Sequence, residues 1–340
     1  MSGLLAPLAA GTYRIAYYDT ELARDGPGLL LRDILSGEDA QVRAVVSVLD
    51  RLDADVLALS GIDHDARGAA LNALNAALAR PFPLAIGLPG NVGRPTGHDL
   101  DGDGWRGGPG DAQAWGAFAG QGALAVLSRL PLMPDGARSL GHLTWSGLPG
   151  SLAPDGTPED LPISRSGHWI LSLGPPALDL LLFHAVPPVF DGPEDRNGRR
   201  NHDELRLWRL LLDGQAGVAA PRGPIVVLGG ANQDPVDGEG RKAGIRDLLA
   251  DPRLTDPAPR SAGAAALHDP HHGSPAARDT VEWPPPGPGR LRVDYVLPGR
   301  DIAVSETGVF WPPPDDPMAA TVARASRHRA VWIDIVLPGG

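Results

Sequence analysis

The stretch TYRIAYYDTE, residues 12–21, begins with β-branched and aromatic side chains and ends with acidic ones. This composition predicts a buried β-strand that stops at Asp19. Residues 41–52 follow with apolar side chains at helical spacing, and Ser36 with Asp39 offers a capping pair just before them. A strand followed by an amphipathic helix indicates an α/β chain.

Further strands and helices follow along the chain. We predict a helix over residues 69–79 and another that begins with Asn201 as N-cap and Glu204 as its partner. Some strands follow one another without a helix between them, which indicates two mixed sheets flanked by helices. The predicted strands cover residues 56–59, 123–127, 169–173, 178–183, 225–228, 291–297 and 330–336. Gly- and Pro-rich segments at 88–120 and 256–290 predict long loops.

The composition is that of a globular protein rather than of a disordered or membrane protein. Of the 340 residues, 42% are hydrophobic and 21% are charged. No stretch approaches the roughly 20 apolar residues of a membrane span. The formal net charge of −11 disfavours a broad electrostatic grip on nucleic acid, because Lys and Arg supply most non-specific affinity. The absence of cysteine excludes disulfides and thiolate nucleophiles.

The first residues give little support for export. MSGLLAPLAAGTYRI lacks a basic region, and Pro7 interrupts its short apolar run, so it is a poor signal peptide. We therefore expect a soluble protein, and the sequence leaves its cellular location open. Length alone allows about two domains.

Six segments, in this order, resemble the endonuclease/exonuclease/phosphatase family, which has a DNase I-like fold. They are RIAYYDTE (14–21), DVLALSGID (55–63), FHAVPPVFDGPEDRNGRRNHDE (183–204), VVLGGANQDP (226–235), RVDYVLP (292–298) and SRHRAVW (326–332). The resemblance implies an α/β (α+β) fold, a four-layer α/β/β/α sandwich in which two mixed β-sheets pack face to face with helices outside. It also implies a single domain over residues 12–338 after an N-terminal segment at 1–11, which overrides the expectation of two domains.

Part of the chain resembles a particular bacterial subgroup of this family. The longest segment carries this resemblance together with GNVGRPTGHDLDGDGW (90–105) and VFWP (309–312). Members of this kind are often exported, although the start of this chain does not look cleavable. The subgroup resemblance identifies no substrate.

Four positions of the family's metal site differ in this chain. Active members hold Mg²⁺ or Mn²⁺ with carboxylates, and the ion stabilises charge on the phosphoryl group while a water attacks. The resemblance places Asp19 where the family has Asn and Gly61 where it has a metal-binding Glu. It places Gly230 where an Asp orients or deprotonates the water, and Arg327 where an Asp binds metal or positions the site. We therefore expect no intact metal centre and poor binding of Mg²⁺ or Mn²⁺.

Other positions of the site match the family. They are His184, Asn232, Asp294 and His328, which the resemblance assigns to the catalytic site. This remnant implies a relative of metal-dependent phosphoester hydrolases that is catalytically impaired or inactive. A phosphate-containing small molecule or a phosphodiester is its expected ligand.

Asp19 and Arg327 occupy family positions that lie close together around the metal ion. A carboxylate and a guanidinium suit a bidentate salt bridge. We therefore hypothesise that an Asp19–Arg327 salt bridge fills the vacated metal site. The alternative is loss of the acids without any compensating contact.

Nearby acids allow a second interpretation, in which the protein is an active phosphodiesterase or phosphatase with a rearranged metal site. Asp63, Asp65 and Asp234 could rebuild a shifted site together with Asp19 and Asp294. Aspartate beside Gly or Pro is, however, more commonly a turn former or a solvated loop residue.

The loop at 99–104 allows a third interpretation, a calcium-dependent binding or scaffold protein. Asp99, Asp101 and Asp103 followed by Gly104 match the first half of a D-x-D-x-D-G calcium loop. Gly110 stands where an EF-hand has its Glu, so any calcium site here is not an EF-hand. A polar surface loop is the competing interpretation.

A cluster of histidines and one further histidine are also candidate site residues. His268, Asp269, His271 and His272 could bind a transition metal, but a chance cluster in a Pro-rich loop explains them more simply. His168, in the segment SRSGHW, could lie near a phosphate, although a buried histidine with satisfied hydrogen bonds is the commoner case.

A basic group precedes the predicted helix start at residue 201. Arg196, Arg199 and Arg200 could hold an anion there, helped by free N–H groups at a helix N-terminus. Acidic residues adjoin them on both sides in the sequence. We therefore favour a structural role in internal ion pairs.

Overall fold

The computed structural model describes residues 11–267 and 273–338. Most of the predicted N-terminal segment lies outside the described residues. The strands are β1 (Gly11–Asp19), β2 (Val56–Ile62), β3 (Leu84–Leu88), β4 (Ala123–Ser128), β5 (Leu132–Ser139), β6 (Trp169–Leu173), β7 (Leu178–His184), β8 (Ile225–Gly230), β9 (Val281–Trp283), β10 (Gly289–Leu291), β11 (Asp294–Pro298), β12 (Ala303–Val309) and β13 (Val331–Leu337). The helices are α1 (Leu29–Ser36), α2 (Ala40–Leu52), α3 (Ala69–Ala76), α4 (Arg196–Leu212), α5 (Lys242–Leu249), α6 (Ala262–Ala266) and α7 (Ala319–Ala325).

The strands form two large mixed sheets. The first sheet has the order β12-β13-β1-β2-β4-β3, and its β1–β2 pair is parallel while the other pairs are antiparallel. The second has the order β11-β8-β7-β6-β5, with β7 and β8 as its parallel pair. A short antiparallel ribbon of β9 and β10 stands apart from both. The prediction of two mixed sheets is confirmed.

A hydrophobic layer between the two sheets holds them face to face. Ile15 and Tyr17 of β1 belong to this layer, where they form one buried cluster with Leu180 of β7 and Leu228 of β8. Because side chains alternate between the two faces of a strand, Tyr18 of β1 belongs instead to the outer cluster. Both faces of β1 are therefore buried over residues 15–19.

Helices cover the outer faces of both sheets. On the first sheet, Val45 of α2 forms a buried cluster with Leu57 and Leu59 of β2. On the second sheet, Trp208 of α4 forms another with Phe183 of β7. Two sheets between two helical layers are the four-layer α/β/β/α sandwich that the resemblance implied, and that prediction is confirmed.

The sequence predicted the presence of α2 and α4 but only partly predicted the residues at which they begin. Asp39 does cap α2, since its Oδ1 accepts a hydrogen bond of 2.8 Å from the Val42 amide. Ser36 takes no part, because it ends α1 and donates its hydroxyl to the Asp33 carbonyl. The prediction that α4 begins at Asn201 is wrong, since the helix already begins at Arg196.

Asn201 and Glu204, which suggested the wrong helix start, bind the loops that follow β7 and β8. Asn201 is fully buried and donates to the carbonyl oxygens of Val186 and Ala231, each at 2.7 Å. Glu204, one turn on, accepts the amide of Val186 at 2.6 Å. These bonds hold the loops that follow β7 and β8, so the cap-like spacing reflects tertiary contacts.

Strand ends of both sheets meet at one end of the sandwich. β1 and β2 end there in the first sheet, as β7 and β8 do in the second, while β11 begins there. The residues at this end are Asp19, Gly61, His184, Gly230 and Asp294, with His328 shortly before β13. In register, Gly230 pairs with His184 on one side and Asp294 on the other. None of the described helices is long and apolar enough to cross a membrane.

Candidate active site

Five of the predicted site residues converge at this end. The imidazoles of His184 and His328 flank the carboxylate of Asp19, with their Nε2 atoms 3.6 and 4.0 Å from its Oδ2. Asp294 Oδ2 lies 2.8 Å from His328 Nδ1, and Asn232 Nδ2 lies 3.0 Å from His184 Nε2. All but Asn232 are buried. The sequence resemblance therefore selected residues that the fold brings together.

His328 is the fixed positive charge of this cluster. Burial alone favours the neutral ring, but the carboxylates of Asp294 and Asp19 raise the pKa of His328 to about 9. Burial raises the pKa of Asp294, and the ion pair with His328 opposes this shift. At neutral pH the proton therefore stays on the imidazole.

His184 is held in the opposite state. Burial and the charge of Arg165 lower the pKa of His184 to about 3, so this ring is neutral. Asn232 uses its amide group on the ring Nε2 and on the Ala185 carbonyl at 2.9 Å. Asn232 thus orients His184, and the buried Nδ1 of His184 has no hydrogen-bond partner within residues 11–267 and 273–338.

Gly61, where the resemblance places the metal-binding glutamate of the family, leaves no room for a larger side chain. It lies at an irregularity in the β2–β4 pairing with φ at +74°, a conformation that costs other residues about 1–2 kcal/mol. A Cβ added to it would lie 2.7 Å from the Glu21 amide nitrogen and 2.8 Å from Asp19 Oδ1. A glutamate at position 61 therefore requires a different path of the backbone. Substitution of Gly61 alone cannot create a metal-binding side chain there.

Gly230 is enclosed in a similar way. A Cβ added there would lie 2.8 Å from the hydroxyl of Tyr17 and 3.2 Å from the ring of His184. The Tyr17 hydroxyl is fixed at 2.7 Å from the Ser60 hydroxyl, and burial raises the pKa of Tyr17 so that it stays protonated. A neutral phenol therefore lies where an aspartate side chain would have to begin.

The hypothesised Asp19–Arg327 salt bridge is wrong. Arg327 pairs with Glu21 instead, through its Nε at 2.8 Å and its backbone amide at 2.7 Å. Ser326 reinforces this contact by donating its hydroxyl to the Asp19 carbonyl at 2.8 Å. The arginine is therefore held at the rim of the site and is more than half exposed, while the Asp19 carboxylate stays between the histidines.

The acids considered for a shifted metal site hold backbone amides. Asp63 accepts the amides of Gly122 and Arg24, each at 3.0 Å, and is buried. Asp65 accepts three amides at the start of α3. Asp234 accepts those of Val236, Asp237 and Arg292. Asp65 and Asp234 shape turns or a helix start, as the competing interpretation expected, whereas Asp63 is buried and joins segments far apart in the chain.

The residues at this site do not fit a divalent ion. Mg²⁺ and Mn²⁺ need several converging oxygen ligands. Among residues 11–267 and 273–338, the only three acidic or histidine groups that converge within 4.8 Å are Asp99, Asp101 and Asp103, in the loop before β4. The buried Oδ1 of Asp294 is unpartnered in the described structure, but it forms no converging group of three with other described acids or histidines.

The loop at 99–104 brings its carboxylates together, as a calcium loop would require. All three are exposed, and they also shape the turn, since Asp99 accepts the Gly102 and Gly104 amides at 2.8 and 2.9 Å. Asp103 accepts the Trp105 amide at 2.7 Å. The geometry is compatible with a cation and with a polar turn.

His168 and the basic group have structural contacts. Both ring nitrogens of His168 are bonded, to the Ser164 hydroxyl at 2.5 Å and the Glu204 carbonyl at 2.9 Å, and burial lowers its pKa to about 4. Arg200 is buried and donates to the carbonyls of Ile163 and Pro162. The histidine and aspartate cluster at 268–272 lies outside the described residues.

Arg165 is a site residue that the sequence reasoning missed. Its side chain makes no hydrogen bond or ion pair with the described residues, and its Nη1 is buried. Its charge lowers the pKa of both Asp19 and His184. It belongs to the segment SRSGHW, where an arginine carries no local pattern that marks it as a site residue.

The sequence matches the Endonuclease/Exonuclease/phosphatase family over residues 33–328. The chain belongs to this family. No curated protein matches it significantly. Members of the family typically depend on divalent metal ions, so the altered acids of this chain set it apart.

Solved structures show the same fold at low identity. An endonuclease/exonuclease/phosphatase from Beutenbergia cavernae has a TM-score of 0.54 and 18% identity, over 97% of this chain and 72% of that one. Sphingomyelinase C from Streptomyces griseocarneus has a TM-score of 0.52 and 16% identity, over 95% and 99%. The human nocturnin catalytic domain, solved with a sulfate anion, has 0.50 and 14%, over 98% and 96%. At these identities the likeness concerns the fold alone.

The crowding at Gly61 predicts how this position responds to substitution. Gly28 also has a positive φ of +80° but has nothing within 4 Å of an added Cβ, so it is a matched control. We expect Gly28→Ala to lower the free energy of unfolding by about 1–2 kcal/mol. Gly61→Ala should cost about 1–3 kcal/mol more, because a methyl group is forced against Asp19 and Glu21. Denaturant unfolding measures both, and equal losses would show that the space beside Gly61 is open.

Proposed function

We propose that this protein derives from metal-dependent phosphoester hydrolases, binds a phosphate-bearing ligand, and is impaired or inactive in metal-dependent hydrolysis. One observation carries this proposal: atoms of the chain itself crowd the space beside Gly61 and Gly230. The metal-binding glutamate of the family cannot be restored at Gly61 without moving Glu21 or Asp19. The water-activating aspartate cannot be restored at Gly230 without moving Tyr17. Loss of the metal centre is therefore built into the local packing.

The remaining residues divide into contact groups and positioning groups. His328 is a buried imidazolium that can donate to a phosphoryl oxygen through Nε2, while Asp294 fixes its other nitrogen. His184 is neutral and is oriented by Asn232. Proton transfer by positioned side chains contributes about 10²–10⁴-fold to a reaction rate, well below the acceleration of typical enzymes. Binding without efficient turnover is the function that these residues support best.

The interpretation as an active hydrolase with a rearranged metal site has weaker support. Its candidate acids Asp63, Asp65 and Asp234 are engaged by backbone amides, as described above. A metal ion would have to replace those hydrogen bonds and move the chain that they hold. The net charge of −11 also disfavours broad binding of nucleic acid as a substrate.

Hydrolysis of bis(p-nitrophenyl) phosphate and p-nitrophenyl phosphate with Mg²⁺ or Mn²⁺ tests the proposal. We expect rates no more than about 10⁴-fold above spontaneous hydrolysis, because positioned acid–base groups alone contribute about 10²–10⁴-fold. EDTA should change the rate little. Turnover at ordinary enzyme rates of about 1–10³ s⁻¹ that EDTA abolishes would overturn the proposal. Loss of that turnover in Asp19→Ala would then support the rearranged metal site.

The convergence of Asp99, Asp101 and Asp103 within 4.8 Å favours a second function, calcium binding. Ca²⁺ takes six to eight oxygen ligands and tolerates flexible geometry, so exposed carboxylates of a loop can supply part of its shell. In this interpretation the loop stabilises a binding or scaffold surface and needs no active site.

Calcium-dependent melting tests this second function. We expect Ca²⁺ to raise the Tm of the wild type, because an ion that binds only the folded chain stabilises it. The Asp101→Asn variant should lose the shift. Asp135→Asn is a suitable control, because Asp135 is exposed on β5 away from the loop. A Tm that Ca²⁺ leaves unchanged, or an equal rise in Asp101→Asn, would assign the loop to surface structure alone.

A further inference from the structure

Arg165 is an arginine whose guanidinium has no partner among the residues that the structure describes. Its backbone is firmly held, since its amide donates to Glu204 at 2.5 Å and its carbonyl accepts the Asn91 amide at 2.9 Å. The guanidinium, in contrast, makes no hydrogen bond or ion pair within residues 11–267 and 273–338, and Nη1 is buried. The carboxyl group of Glu204 therefore binds the main chain of Arg165. It makes no hydrogen bond or ion pair with the charged guanidinium.

The guanidinium lies beside the altered metal site. A Cβ built on Gly122 would be 4.0 Å from both Arg165 Nη2 and Gly61 Cα. The positive charge also lowers the pKa of Asp19, and it contributes to the neutral state of His184. One atom added at Gly122 would thus contact both the Arg165 guanidinium and Gly61, the position where the resemblance places the metal-binding glutamate.

The other charges of the site already have partners. His328 is paired with Asp294 at 2.8 Å, and Arg327 with Glu21. Asp19 accepts the Glu21 amide and lies between two imidazoles. A buried donor without a partner is costly, and natural proteins seldom retain one without a reason. Arg165 is therefore the site cation that is free to meet a ligand.

From this geometry we propose that Arg165, together with His328, binds a phosphate group without a divalent ion. The ligand class is a small phosphorylated molecule whose tetrahedral oxyanion accepts hydrogen bonds from the guanidinium. Arginine presents a planar fork of donors that matches phosphate oxygens. This inference rests on the proposed function, and it specifies which charge takes over the anion-binding role of the metal.

Titration calorimetry with inorganic phosphate in excess EDTA, at constant ionic strength, tests the inference. We expect the wild type to bind phosphate and Arg165→Met to bind it at least about tenfold more weakly, because a charged hydrogen-bond donor is lost. Arg222→Met is the matched control, since Arg222 is exposed just before β8, at the opposite end of that strand from Gly230. It should bind phosphate as the wild type does.

A second neutral variant keeps the test valid if Arg165→Met does not fold. Arg165→Gln keeps a polar side chain, and cooperative thermal melting without phosphate shows that a variant is folded. Phosphate binding by either folded variant at wild-type affinity would overturn the inference. So would a wild type that binds phosphate only when Mg²⁺ is present, or not at all. Metal-dependent turnover would refute the proposed function separately, whatever the outcome for phosphate.

Discussion

The buried ion pair between Asp294 and His328 is the contact on which the site depends. It joins the first residue of β11, in one sheet, to the segment that leads into β13, in the other. Its 2.8 Å geometry holds the imidazole beside Asp19, and the carboxylates keep that ring charged. A buried pair of this kind is costly to break, because one charge would be left uncompensated. The end of the sandwich is therefore fixed in an arrangement with its own internal cation.

This arrangement explains why the lost acids do not leave an open cavity. The Tyr17 hydroxyl adjoins Gly230, and the backbone of Glu21 adjoins Gly61. Positive charge comes from His328 inside the site and from Arg165 beside it, whereas active relatives supply it with an ion. Under the proposed function, the chain keeps residues that orient a phosphate and lacks those that activate water. The contacts at Gly61, Gly230 and Arg165 are the support for this proposal of a phosphate-binding protein on a hydrolase fold.

The sequence motifs predicted the fold and the gathering of Asp19, His184, Asn232, Asp294 and His328, because each motif lies at a strand end. They did not predict partners across the site. Arg327 was assigned to Asp19, but Glu21 presents its carboxylate to both the side chain and the amide of Arg327. Similarly, Asn201 and Glu204 have the spacing of a helix cap yet serve tertiary contacts. Local spacing could not reveal Arg165, since its role depends on loops far apart in the chain.

Measurement of the pKa of His328 by NMR, with and without excess Mg²⁺, tests most directly whether the protein supplies the charge of this site. The His328→Gln variant assigns the resonance among the ten histidines. We expect a pKa of about 9 that Mg²⁺ leaves unchanged, because the imidazolium is already held by Asp294 and Asp19. Titration near the ordinary value of about 6.5 without Mg²⁺ would contradict an internal charge at this site, and a pKa that falls when Mg²⁺ is added would show that the metal ion binds beside the imidazole.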